Sequence, residues 1–278
     1  MQRQMNDGGI ALWPGANQPD NWVTSYAGHF LYEAERAGYI VPSGLKQNWI
    51  SYQKRKAQDW KYDIKFKQTA NDQAYRLFTL ALAGQPERGA MNRLRESEAL
   101  PQLSKWLLAA AYASSGRTEV AGELLDMRNV ETEPDYQDYY YGSQLRDKAI
   151  ILYTLTILGD EVQALPLLRS VSESLNSDSW YSTQSLAWAL FAYMKYAVLL
   201  PGDRNGPFSS ELTLNGERSE INANSNQIWT KNLKINEGKN SLVVENRSDK
   251  PVYLNLVNKG IPLMSDVLKE EKGITMKI

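Results

Sequence analysis

Cysteine is absent from all 278 residues, which excludes disulfides, thiolate metal sites and a cysteine nucleophile within the chain. There is one histidine, His29, too few for the mixed Asp, Cys and His zinc set used by prenyltransferases on helical barrels. Charge of one sign is missing too. The 31 basic and 32 acidic residues leave a net charge of −1, so no field gathers nucleic-acid phosphates or anionic lipid. No apolar run approaches the roughly 20 residues that span a bilayer, so direct membrane insertion is not expected. The opening MQRQMNDGG lacks the apolar core of a secretory signal, and any such signal is expected upstream. A phosphate-cradling loop is likewise missing, because Gly8-Gly9 precede an apolar segment with no Lys or Ser/Thr partner.

What is present is apolar material arranged with helical spacing. Hydrophobic residues at 42% and charged residues at 23% suffice for a sizeable core, and the length allows two domains or one large helical ring. Up to about Pro201 the period is 3.6, and it predicts helices over roughly 21–37, 43–58, 70–83, 87–97, 102–115, 118–127, 143–158, 161–175 and 182–199. In the first, Trp22, Tyr26, Phe30 and Leu31 form a stripe, Asp20 or Asn21 can cap the start, and Gly38 can end it.

The helices alternate in character. TANDQAYRLFTLALAG, SKWLLAAAYASSG, RDKAIILYTLTILG and STQSLAWALFAYMKYA are apolar on most of their circumference, whereas those between carry a charged face. A helix apolar all round has to be surrounded by protein, so the alternation implies an inner ring inside an outer one. Gly84, Gly116 and Gly159 stand where left-handed caps would end the inner helices before a tight turn. The fold class that follows is mainly α: an α/α toroid of the terpenoid-cyclase type over residues 1–201. The 35 to 45 residue spacing also fits a helical-repeat scaffold for protein partners, although irregular spacing and the long connection at 128–142 favour the toroid.

At LPGDRNGP the helical period ends and strand-like segments begin, so residues 202–278 are expected to form a small, partial antiparallel β-sandwich. ELTLNGE alternates and ends in Asn215-Gly216, a hairpin dipeptide. NLKINEGKNSLVVEN reads as strand, turn, strand. PVYLNLVN sets Val252, Leu254 and Leu256 against Tyr253, Asn255 and Val257, and EEKGITMKI opens another strand.

No residue stands out as catalytic, cofactor-binding or metal-ligating. His29 lies on an aromatic helix with no triad or ligand partner in the sequence around it, so packing is its expected role. The acids of ETEPDYQDYYYG are dispersed through an aromatic loop and read as a solvated connector, with a binding loop as the alternative. Paired carboxylates of a glycosidase on an α/α barrel remain an open alternative, since many acids are available and none is marked out. The 8 Trp and 16 Tyr fall mostly at helical spacing among aliphatic residues, which favours core packing over sugar stacking. Asn246-Arg247-Ser248 matches the glycosylation pattern only as three residues in a turn.

Three ordered segments resemble the thioester-containing helical domain of bacterial alpha-2-macroglobulins. They are RQMNDGGIALWPG with NWVTSYAGHFLYEA, RDKAIILYTLTILGD, and WYSTQSLAWALFAYMKY, the last being the most specific. Ser25 stands where the family's Trp-x-Thr-Ala-Tyr pattern has alanine. LVNKGIP and EEKGITMKI resemble the strands to which the family's chain returns. The resemblance implies part of a protease trap in the periplasm or at the cell surface, triggered by bait-region cleavage. Its partners would be proteases and the other macroglobulin domains of the same chain. The family's Cys–Gln thioester would lie upstream of RQMNDGG, so no activity is carried onto this chain, which is read as not an enzyme. The first helices of a full toroid would lie upstream too, so the resemblance implies a toroid incomplete at its N-terminal side. His29 does not match the histidine that assists the thioester in some relatives.

Overall fold

A computed structural model of the chain describes residues 3–125, 142–199, 207–224 and 229–248, with single positions at 252, 254, 256, 257 and 260. It divides into two compact units, Met1–Leu200 and Pro201–Ile278. The first contains α1 (Asn21–Arg36), α2 (Ser43–Asp59), α3 (Thr69–Leu82), α4 (Arg88–Arg95), α5 (Gln102–Ser114), α6 (Thr118–Leu124), α7 (Gln144–Leu158), α8 (Glu161–Leu175) and α9 (Thr183–Leu199). A single 3₁₀ turn at Ile64–Phe66, which carries no periodicity, was not legible in the sequence.

Several of the helices begin with a side-chain cap. Asp20 accepts from the Val23 amide, Ser143 from that of Arg146, and Asp160 from that of Gln163, each supplying an acceptor to the bare first turn. Gly159 caps α7 at φ 73, a left-handed backbone conformation that disfavours a β-carbon.

The odd-numbered helices form the inner course. Each packs on the next in the order α1, α3, α5, α7, α9, while α2 and α4 lie against α3, α6 against α5, and α8 against α7. Every residue of α3 from Asp72 to Ala81 is buried, as are Trp106 to Tyr112 of α5 and Ala149 to Thr156 of α7. Helices apolar around their circumference are thus enclosed, as their composition demands. The outer helices bury one stripe each, such as Ala164, Leu167, Leu168 and Val171 on α8. The expectation of all-round burial fails for α9. Trp188, Ala189, Ala192 and Tyr196 face the core, but Leu186, Leu190, Met194 and Val198 are 37%, 62%, 51% and 55% exposed.

The second unit holds β1 (Pro207–Leu214), β2 (Glu217–Asn224) and β3 (Leu242–Asn246) in one antiparallel sheet of order β2-β1-β3. Asn215 and Gly216, at φ 51 and 90, make the two-residue turn between β1 and β2. The strand, turn, strand reading of NLKINEGKNSLVVEN is half corrected: only LVVEN is a strand, and it pairs with the free edge of β1. The residues before it are diverted into a turn in which the Asn240 side chain bonds the backbone of Asn236 and Gly238. The face expected of PVYLNLVN is not buried either, since Leu254 and Leu256 are 60% and 63% exposed and no described residue there belongs to a strand. EEKGITMKI and the acidic-aromatic run at 131–141 lie outside the described residues.

Candidate functional site

In an α/α toroid the place to look for chemistry is the centre of the inner course. Here side chains fill it. His29, projecting from α1, meets Phe78 of α3 at 5.5 Å between ring centroids, Tyr153 of α7 at 6.0 Å, and Trp188 and Phe191 of α9 at 5.2 and 5.1 Å, most of them edge to face. Such pairs of quadrupolar rings attract beyond their buried area. His29 Nδ1 lies 3.2 Å from the hydroxyl of Tyr75, and Nε2 is enclosed with no hydrogen-bond partner.

Burial, and then the nearby Lys195 ammonium, lower the His29 pKa to about 3. The imidazole is therefore neutral at physiological pH. Burial also raises Tyr75 and Tyr153, so both phenols stay protonated. The carboxylate beside this cluster, Glu33, is engaged by Lys195 through both oxygens at 3.0 and 2.9 Å. Lys195 also lies 4.9 Å from the Phe191 ring centroid. His29 is thus a neutral imidazole, 5% exposed, enclosed among protonated phenols. The packing role expected of His29 is what the geometry shows. Among the described residues no group of three His, Asp or Glu stands together as a metal set.

The structure also explains residues to which the sequence assigned no structural role. Thr24 and Ser25, buried on α1, are polar anchors: Thr24 Oγ1 accepts from the Ile10 amide at 2.9 Å, and the Thr24 carbonyl accepts from Trp49 Nε1 at 2.7 Å. Ser25 Oγ accepts from Gln53 Nε2 at 3.0 Å, and Gln53 Oε1 in turn accepts from Arg76 Nε at 3.0 Å. Arg76 also donates to Gln73 and to Asn21, so the buried guanidinium binds neutral acceptors on three helices. Gly28 lets α2 approach, because a β-carbon there would stand 1.9 Å from the Trp49 ring. No spacing rule would have found these partners, since all but Gln73 lie far apart in sequence.

Two surface features remain. An open groove of about 450 Å³ is lined by Ile10, Pro14, Ala27, Phe30, Leu31 and Leu45, with Arg3 and Gln4 at its polar part. The Gln4 amide is already given to the Leu45 carbonyl at 2.9 Å. On the other hand, the exposed stripe of α9 recurs every fourth residue, and no charged residue occurs between Thr183 and Met194. Exposed apolar rows of this kind are found on surfaces that meet protein, membrane or ligand. The Asn246-Arg247-Ser248 turn is closed on itself, Asn246 Oδ1 accepting from the amide and hydroxyl of Ser248.

No family model matches the chain. Alpha-2-macroglobulin of Escherichia coli strain K12 is 30% identical over 282 residues, covering 94% of this chain and 16% of that protein. The chain thus spans about a sixth of that relative's length. Native E. coli alpha-2-macroglobulin from domain MG7 to the C-terminus shares the fold with TM-score 0.63 at 24% identity, covering 89% of this chain and 39% of that one. Trypsin-activated alpha-2-macroglobulin from E. coli gives TM-score 0.60 at 26% identity, over 89% of this chain and 17% of that one. With the order of helices followed along the chain by a sheet, these likenesses agree on one assignment: the chain belongs to the bacterial alpha-2-macroglobulin family.

Proposed function

We propose that this chain is a non-catalytic part of a broad-spectrum protease trap. Residues 1–201 would be a thioester-domain toroid lacking its N-terminal helices, and residues 202–278 part of a macroglobulin or CUB-like sandwich. The whole polypeptide would enclose a protease after that protease cuts its bait region, in the periplasm or at the cell surface. In this reading the chain contributes framework. It has no cysteine for a thioester, its ring centre is a packed aromatic cluster, and it calls for no cofactor. Its partners are the other macroglobulin domains and, through them, the protease.

The observation that carries the reading is the outward face of α9. Leu186, Leu190, Met194 and Val198 continue the apolar texture of an inner helix on a side where the described residues leave it bare. Upstream helices that complete the ring would cover this row. The trypsin-activated relative supplies the choice of protease for a test.

The longer polypeptide containing this chain should be incubated with trypsin at equal molarity, and residual activity read on two substrates. Trapping predicts that digestion of a large protein substrate falls steeply while hydrolysis of a small peptide substrate persists. Equal loss on both would indicate simple active-site inhibition, and no loss on either would remove the trap.

A further inference from the structure

His29 is a single side chain that touches α3, α7 and α9 from α1. Its Nδ1 shares a hydrogen bond with Tyr75, while Nε2 is sealed without a partner. The polar groups around it are few. Tyr75 faces it from α3 and Tyr153 from α7, Lys195 acts on it from α9, and Glu33 lies one turn along α1, paired with that lysine. A proton on the imidazole would thus add a second cation beside Lys195, inside a wall of rings, with one donor unsatisfied.

We propose that His29 makes the seam between α1 and α9 acid-sensitive, so that protonation of the imidazole parts these two helices before the rest of the helical unit unfolds. The seam is the place to yield because α1 and α9 end the inner course. The α3, α5 and α7 helices are each flanked by inner neighbours on two sides, whereas α9 packs on α7 and α8 and, among the described residues, keeps an uncovered outward face. Elements with fewer buried contacts open at lower free energy than the core.

The direction follows from linkage. Burial and Lys195 hold the folded imidazole down at about 3, against 6.5 when it is free. An open seam therefore takes up one proton that the closed seam refuses. Closure is fully favoured above pH 6.5 and is lost progressively as pH falls toward 3, by at most about tenfold per pH unit in the opening equilibrium.

Amide hydrogen exchange of the full 278-residue chain between pH 6.5 and 4.5, corrected for intrinsic rates, tests this. The expected result is faster exchange at residues 29–36 and 188–197, approaching tenfold per pH unit, with α5 unchanged. His29→Phe, which fits the aromatic surroundings and cannot titrate, should remove that acid-dependent part. An identical acceleration in the variant, a parallel loss of protection in α5, or no acceleration at all would each overturn the proposal. Should the variant not fold, the wild type still decides. His29 is the only histidine, so its one imidazole NMR signal decides: a neutral imidazole that persists well below pH 6.5 while exchange at the seam accelerates supports the proposal, and titration near pH 6.5 with the seam still protected contradicts it.

Discussion

The Lys195 ammonium, on the last helix of the first unit, grips both carboxylate oxygens of Glu33 on the first helix, at 3.0 and 2.9 Å across 162 residues of chain. The pair is only partly shielded, with the lysine side chain 14% and the glutamate 21% exposed. Its strength should lie between that of surface pairs and fully buried ones. A double-mutant cycle of Lys195→Met and Glu33→Gln in urea unfolding should give a coupling of about 1 to 2 kcal/mol. Additive losses would show that the two charges do not hold the ring ends together.

Gly28 is irreplaceable for a steric reason. An added β-carbon would lie 1.9 Å from the Trp49 ring, and that ring is fixed by its bond to the Thr24 carbonyl. Gly28→Ala should therefore lower stability by roughly 2 to 4 kcal/mol despite the better helix propensity of alanine. Equilibrium urea denaturation would measure it. A stabilised or unchanged variant would mean that α1 and α2 can separate freely.

The two compact units give a third expectation. Gly216 sits at φ 90 in the hairpin turn, where alanine is strained by roughly 1 to 2 kcal/mol. Gly216→Ala should lower the transition of the sheet and leave that of the helices in place, as followed by far-ultraviolet dichroism for helix and by amide exchange for β1 and β2. A matching downward shift of the helical transition would show that the units unfold as one.

The helical unit was legible because its signals are local and redundant. Period recurs along each helix, and capping residues or terminal glycines mark several of their ends, so most boundaries fall within two residues of those read from the sequence, as with α8 at Glu161–Leu175. Hidden features depend on partners distant in the chain. Nothing around Ser25 announces Gln53, and nothing in YAGHF announces that Gly28 faces Trp49 while His29 faces α9. The sheet was read less well. Short alternating segments do not state which edge they will join, so the strand at LVVEN is legible in the sequence but its pairing with β1 is not. The apolar circumference of α9 was visible, but composition cannot say which side this chain itself covers.

That uncovered side gives the most direct test of the chain as one part of a larger ring. Met194, 51% exposed in the middle of the bare row, is a chemical reporter. Hydroxyl-radical footprinting should oxidise it readily in the 278-residue chain and several-fold more slowly in the polypeptide extended upstream, with the exposed Trp180 as internal control. Equal oxidation of Met194 in both would contradict the account, because the upstream helices would then not complete the ring against α9.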